Sequence, residues 1–172
     1  MPLLSPPLAL VQSLSDIIPV ELIAFGSAML LVITLMHGAG LKLTVARYKR
    51  RAEAARKKGL HPRLAVLIFG GAILRMLALH LVEICLWGFA LSASRLVPNF
   101  RDSVYFAANT YTTLAYGDVL LPLAWRELSP IIAISGLFTF AWTTSEMFNI
   151  VGYQHDLEAD LSTQHHLKTG TA

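Results

Sequence analysis

Three groups of residues in this 172-residue chain could do chemistry. The first is ionisable and lies inside an apolar stretch: Arg75, His80 and Glu83. On a helix, His80 and Glu83 are three apart and share a face. A charge at the centre of a bilayer costs about 2.5–3.5 kcal/mol, so such groups face protein or water. Arg75 sits about 17 Å along its stretch if helical, and a carboxylate or carbonyl partner is expected for it. One Arg is not the ladder of cations that a voltage sensor needs. His80 and Glu83 could also relay a proton. His37, near the end of an earlier apolar stretch, is expected to cap or snorkel. The second group is the run Thr112-Thr113-Leu114-Ala115-Tyr116-Gly117-Asp118. The third is a line of hydroxyls, Ser135, Thr139 and Thr143, which recurs every four residues and draws one stripe on a helix. Small hydroxyls of this kind either face a wet cavity or bond back to their own helix carbonyls. Glu146 continues the stripe.

Signatures of catalysis are missing. There is no G-x-G-x-x-G, Walker loop, HExxH or nucleophile elbow. His165-His166 has no second ligand pair and reads as a solvated tail. The single cysteine, Cys85, lies in an apolar run and reads as a small buried hydrophobe. Neither an enzyme nor a cofactor is expected.

The elements that must position these groups are membrane spans. Hydrophobic residues make up 55% of the chain and charged ones only 15%, against about 25% charged in soluble domains. That excludes a disordered chain, a coiled coil and an ordinary soluble enzyme. A spanning helix needs about 20 mostly apolar residues. Stretches at 17–41, 64–93 and 128–153 qualify. Residues 1–16 form an irregular leader without Lys or Arg, outside the membrane on the extracellular or periplasmic side. Residues 154–172 form a polar, frayed cytoplasmic tail.

Net charge is +3, but it is unevenly placed. Nine of the 14 Lys and Arg fall in residues 42–63, with one acid, Glu53; the rest of the chain nets −5. This block adjoins two spans, has one aromatic (Tyr48), and does not read as a nucleic-acid site. It reads as a cytoplasmic segment that sets topology, with anionic lipid as its available partner. Its Ala and Arg content favours a helix, which Gly59 and Pro62 end. The N-terminus is then outside and the C-terminus cytoplasmic, in the cell membrane.

The connection between the second and third spans is too apolar for a free loop. Asp102 or Ser103 can cap a helix over 102–112. It is about 15 Å long, half a bilayer. It cannot cross, but it can enter and return as an extended segment, which membrane depth tolerates only inside protein or along water.

Residues 112–118 resemble the potassium-channel filter signature T-T-V-G-Y-G-D, with five of seven positions identical. The resemblance covers the pore domain, residues 64–153: an outer helix, a pore helix, the filter 113–118 and an inner helix. It implies an all-α membrane protein in which a re-entrant pore helix and filter lie between the second and third of three spans. It implies a potassium channel, a homotetramer, since one chain supplies one oxygen per ion layer. Carbonyls of Thr113, Leu114, Ala115 and Tyr116, with the Thr113 hydroxyl, would replace the water shell of potassium, and Gly117 would close the filter. Tyr116 would brace the filter outward. Asn109 stands where relatives often carry an acid that reaches the Asp after the filter, here Asp118. Gly136 matches the family's bending glycine, Ser135, Thr139 and Thr143 would line the cavity, and Glu146 would shape the inner mouth.

Ala115 departs from the pattern. The family has Gly there because the backbone needs positive φ, and a Cβ in that region costs about 1–2 kcal/mol. Two other readings therefore stand beside the selective channel: a nonselective cation channel, and a non-conducting scaffold or regulatory protein of the same fold.

Overall fold

We describe a computed structural model in which residues 19–59 and 63–170 are described. The leader 1–16, Pro62 and the side chains of His165 and His166 lie outside the described residues. Every regular element among them is helical: α1 (Val20–Lys58), α2 (Arg63–Ala93), α3 (Phe100–Tyr111), a 3-10 turn (Leu123–Trp125) and α4 (Leu128–Thr169). Three of these, α1, α2 and the stretch ending in α4, are long and apolar enough to cross a membrane.

Two boundaries differ from expectation. The first span and the basic block form one unbroken helix of 39 residues, about 58 Å long. No residue between Gly40 and Lys58 interrupts the hydrogen-bond ladder. It stops at Gly59, which takes φ 56° and donates its N–H to Arg56 O at 3.1 Å. At the other end, the polar tail continues α4 to Thr169 instead of fraying.

The chain divides into two compact units. One joins the residues up to Thr34 with Glu83–Leu137; the other joins Leu35–Val82 with Phe138 onward.

In the second unit, Leu41, Tyr48, Ala55, Ile68, Ala72, Met76 and Ile150 form one core. Ala52, Ala65, Leu157 and Leu161 form another, with Tyr153 packed against it. Ile150, Leu157 and Leu161 recur at helical spacing, and that stripe holds the tail in register. Polar links reinforce it. The Tyr48 hydroxyl donates to Gln154 Oε1 at 2.9 Å, and Gln154 Nε2 donates to Glu158. Arg56 pairs with Asp160, and Lys49 lies over the Tyr153 ring. Two residues of the basic block, Lys49 and Arg56, are thus engaged within their own chain.

In the first unit, α3 is seated by two glycines. A Cβ on Gly88 would lie 2.8 Å from Val104 Cα, and one on Gly136 would lie 2.0 Å from the Tyr111 carbonyl oxygen. Both ends of α3 therefore touch backbone of a long helix. α2 ends with Arg95 left-handed at φ 56°, while Leu96 N–H reaches back to Leu91 O. Phe25 meets Trp125 edge-to-face at 5.9 Å.

Candidate functional site

The short helix α3 has 12 residues, about 18 Å, and cannot cross a bilayer. Its cap is Asn99, not the expected Asp102 or Ser103: Asn99 Oδ1 accepts from Asp102 N at 2.9 Å. Asp102 instead supplies an acid to the first turn, where the helix dipole favours it. The buried face of α3 carries Ser103, Phe106, Ala107, Thr110 and Tyr111. Tyr111 is fully buried and its hydroxyl donates to the buried Glu83 carboxylate. That bond ties the C-terminal end of α3 to α2 and gives Glu83 a structural partner.

Beyond Tyr111 the chain leaves the helix but stays anchored to it. The Asn109 carbonyl accepts two amides, from Leu114 at 2.8 Å and Ala115 at 3.2 Å. Thr113 N–H donates to Thr110 O, and the Thr112 hydroxyl donates to Ala108 O. The backbone then alternates. Thr113, Ala115 and Gly117 have φ of 60°, 48° and 78°, whereas Leu114 and Tyr116 between them stay out of the positive region. Positive φ at Ala115 is the conformation that position was expected to need. It is unusual at Thr113, where a β-branched side chain makes it an outlier. Strain of this kind, repeated at every second residue, collects at functional sites.

Residues 112–118 are all exposed in the single chain. Tyr116 is 69% exposed and Leu114 56%. Behind the segment, between it and α3, lies a cavity of about 140 Å3 lined by Phe106, Asn109, Thr110, Ala115 and Gly117 among others. Asp118 does not meet Asn109. Its carboxylate accepts from the Tyr105 hydroxyl at 2.7 Å, and Asn109 Nδ2 donates to Tyr105 O, one turn back on its own helix. This hydrogen bond to Asp118 holds the Tyr105 phenol above its ordinary pKa of 10.0. Tyr105 is not among the residues that the sequence singles out. Its place one turn before Asn109 on the same helix is the signal that could have found it.

The hydroxyl stripe of α4 does not face a cavity. In the first unit, Ser135 is fully buried, accepts from Trp87 Nε1 at 3.0 Å and donates to Ile132 O. Gly136 lies in an unbroken helix, against the Tyr111 carbonyl, so its smallness serves packing at that point. In the second unit, Thr139 is fully buried. Thr143 is also buried and stands between two imidazoles, 3.0 Å from His80 Nε2 and 3.1 Å from His37 Nε2. The His37 and His80 rings lie 5.2 Å apart, and His80 stacks on Phe140 at 4.3 Å. His37 therefore neither caps nor snorkels; it is buried completely. The hydroxyls do share one face, as their spacing predicts, but that face is the packed one. The opposite face of α4, with Ile134, Leu137, Phe138, Ala141, Thr144, Ser145 and Phe148, is exposed.

Glu146 is half-buried, accepts from Asn149 Nδ2 at 3.3 Å and shares an open groove with Lys49. Cys85 is exposed rather than buried. Among the described residues, Arg75 has no hydrogen-bond or ion-pair partner, so neither the carboxylate nor the carbonyl expected for it is found.

A helix too short to cross, followed by a strained return segment and held between the ends of two long apolar helices, defines a pore-loop membrane protein. The sequence pattern of the ion channel family matches residues 64–152, and the chain belongs to that family, of the two-transmembrane potassium-channel type. It is an integral membrane protein. No curated protein and no solved structure matches it.

Proposed function

We propose that the protein is a homotetrameric, potassium-selective channel whose filter is Thr113 to Gly117. The observation that carries this reading is the positive φ at Thr113, Ala115 and Gly117. In a uniform extended strand, successive peptide units point to opposite sides. Reversing the hand at every second residue turns successive carbonyls toward one side. A row of oxygens then replaces the hydration shell of a permeating cation. One chain supplies one oxygen per layer, so several copies must close each ring. The exposure of residues 112–118 supports the same conclusion, because non-helical backbone at membrane depth needs protein or water around it.

Potassium is here the permeant ion and no cofactor takes part. Asp118, oriented by Tyr105, draws cations to the entrance. The inner pathway is lined by the exposed face of α4, chiefly Ala141, Thr144, Ser145 and Phe148, rather than by Ser135, Thr139 and Thr143. Glu146, beside Lys49, is placed toward the inner mouth. The basic cluster of α1 lies on the cytoplasmic side by the positive-inside rule, in a cell membrane. The N-terminus is then outside and the C-terminus cytoplasmic. Basic side chains there lie within reach of anionic lipid.

The test is flux from potassium-loaded vesicles, with sodium in parallel. Wild type passes potassium in preference to sodium, and Thr113→Ala and Tyr116→Ala abolish that preference. Potassium-selective flux unchanged in both variants refutes the filter. The purified assembly should have four times the mass of the 18.9 kDa chain, apart from bound detergent. Ala115 favours one rival, a nonselective channel: sodium passing as readily as potassium in wild type, with selectivity appearing in Ala115→Gly, would establish it.

A further inference from the structure

The second unit holds a feature that conduction does not use. There, α1 and α2 run antiparallel: Ala52 packs with Ala65 at one level, and Gly40 against Leu79 at another. Between them lies an open groove of about 250 Å3. Its lining is mainly apolar, with Leu43, Leu79 and Val82, and two cations, Arg47 from α1 and Arg75 from α2. Gly40 lets the helices close at the groove floor, since a Cβ there would lie 2.7 Å from a Leu79 methyl.

The two cations stand at similar heights. Arg47 lies about three helical turns before Lys58, where α1 ends, and Arg75 about three turns after Arg63, where α2 begins. At the helical rise each is roughly 17 Å from the basic end of its helix. Counted back from Ala93, a span of about 20 residues reaches Leu74. A span placed that way would leave Arg75 at the edge of the hydrocarbon rather than at its centre. No acidic residue lines the groove. Among the described residues, neither guanidinium has a hydrogen-bond or ion-pair partner.

We infer that this groove binds one anionic phospholipid, its phosphodiester held between Arg47 and Arg75 and an acyl chain laid along Leu43, Leu79 and Val82. Charge complementarity selects the headgroup. Guanidinium groups match phosphate oxygens in a fork that lysine cannot reproduce. The apolar trough selects a lipid over free phosphate, which has nothing to put there. Arg75 belongs to α2 and lies outside the basic block, so the site differs from a diffuse attraction to that block. It also explains an Arg at the membrane edge with no protein partner. The inference rests on the proposed membrane placement of α1 and α2, but not on the filter.

The test is lipid retention by the detergent-purified, full-length assembly, weighed intact by mass spectrometry. The protein is mixed with equal phosphatidylglycerol and phosphatidylcholine. Wild type keeps phosphatidylglycerol preferentially. Arg47→Gln and Arg75→Gln each lower that preference roughly fivefold, about the effect of one basic residue near an anionic surface. Arg75→Lys recovers only part of it. Lys57→Gln and Lys58→Gln, at the end of α1, lower it less than either Arg variant does. Equal retention in wild type and both Arg variants overturns the site. So does an equal loss in the Lys variants, which would mean a diffuse basic surface. Spontaneous crosslinking between copies through Leu43→Cys and Val82→Cys would show a neighbouring subunit in the groove and also overturn it. Because retention is read without ion flux, failure here leaves the filter reading standing, and failed flux leaves this one standing.

Discussion

Replacing Gly136 with Ala separates two roles for that glycine. A hinge glycine gives the helix freedom, and Ala would change gating while leaving stability nearly intact. A packing glycine gives room, and here the room is specific. The new Cβ would lie 2.0 Å from the Tyr111 carbonyl oxygen and 2.9 Å from its carbon. Real Cβ contacts essentially never fall under 3.0 Å, so α3 and α4 must move apart at that point by a good part of an atom's radius. The opposing atom is backbone, not the tip of a flexible side chain. Overpacking costs about 1–3 kcal/mol, and the upper end applies here. Alanine returns about 1 kcal/mol through helix propensity. The net is a loss of about 2 kcal/mol per chain. Gly152→Ala is the control, since nothing lies within 4 Å of its new Cβ; it should gain up to about 1 kcal/mol. The assay is thermal unfolding of the detergent-solubilised assembly. Gly136→Ala should melt below wild type and Gly152→Ala at or above it. A Gly136→Ala protein as stable as wild type would refute the packing argument. Because Tyr111 directly precedes the strained segment, the same shift should also impair ion selectivity.

Ala115→Gly removes a Cβ from a backbone at φ 48°. Relief of about 1–2 kcal/mol, less the added flexibility of Gly in the unfolded chain, should leave a gain of about 1 kcal/mol per chain in thermal unfolding. Trp87→Phe deletes the buried donor to Ser135 and should lower stability by about 1 kcal/mol, measured in the same way. Asn99→Ala removes the cap of α3 and should cost about 0.5–2 kcal/mol, with the loss read as faster hydrogen exchange in residues 100–105. Tyr105 has a raised folded-state pKa, so the stability its hydroxyl contributes is complete below pH 10.0 and is lost as pH rises beyond it. Wild type should therefore lose more thermal stability above pH 10.0 than Tyr105→Phe does; parallel losses would break the link to Asp118.

Much of this protein follows from local sequence. Three apolar stretches, each long enough to cross a bilayer, can only be helices in lipid, because no water is there to satisfy a free backbone. The basic cluster is legible because charge is one-dimensional information. So is the filter-like run, since its residue types and order carry the signature. The short helix α3 is legible from its length, although its cap moves to Asn99 once the competing side chains are compared in space.

Partnership is what tertiary structure decided. Ser135, Thr139 and Thr143 recur every four residues whether they line water or pack against neighbours. Periodicity assigns a common face but not what that face meets. Only folding showed Ser135 under Trp87, and Thr143 between His37 and His80. Asp118 meets the Tyr105 hydroxyl, while Asn109 Nδ2 donates to Tyr105 O on its own helix. Depth counted from the start of its apolar stretch makes Arg75 deep and in need of a protein partner. The structure sets it beside Arg47 in one groove, which is the site proposed above for a lipid headgroup. Gly88 and Gly136 look alike in sequence to Gly70 and Gly152, which face open space. Whether a missing Cβ matters depends on the distance to another backbone, and residues far apart in the chain set that distance only when it folds.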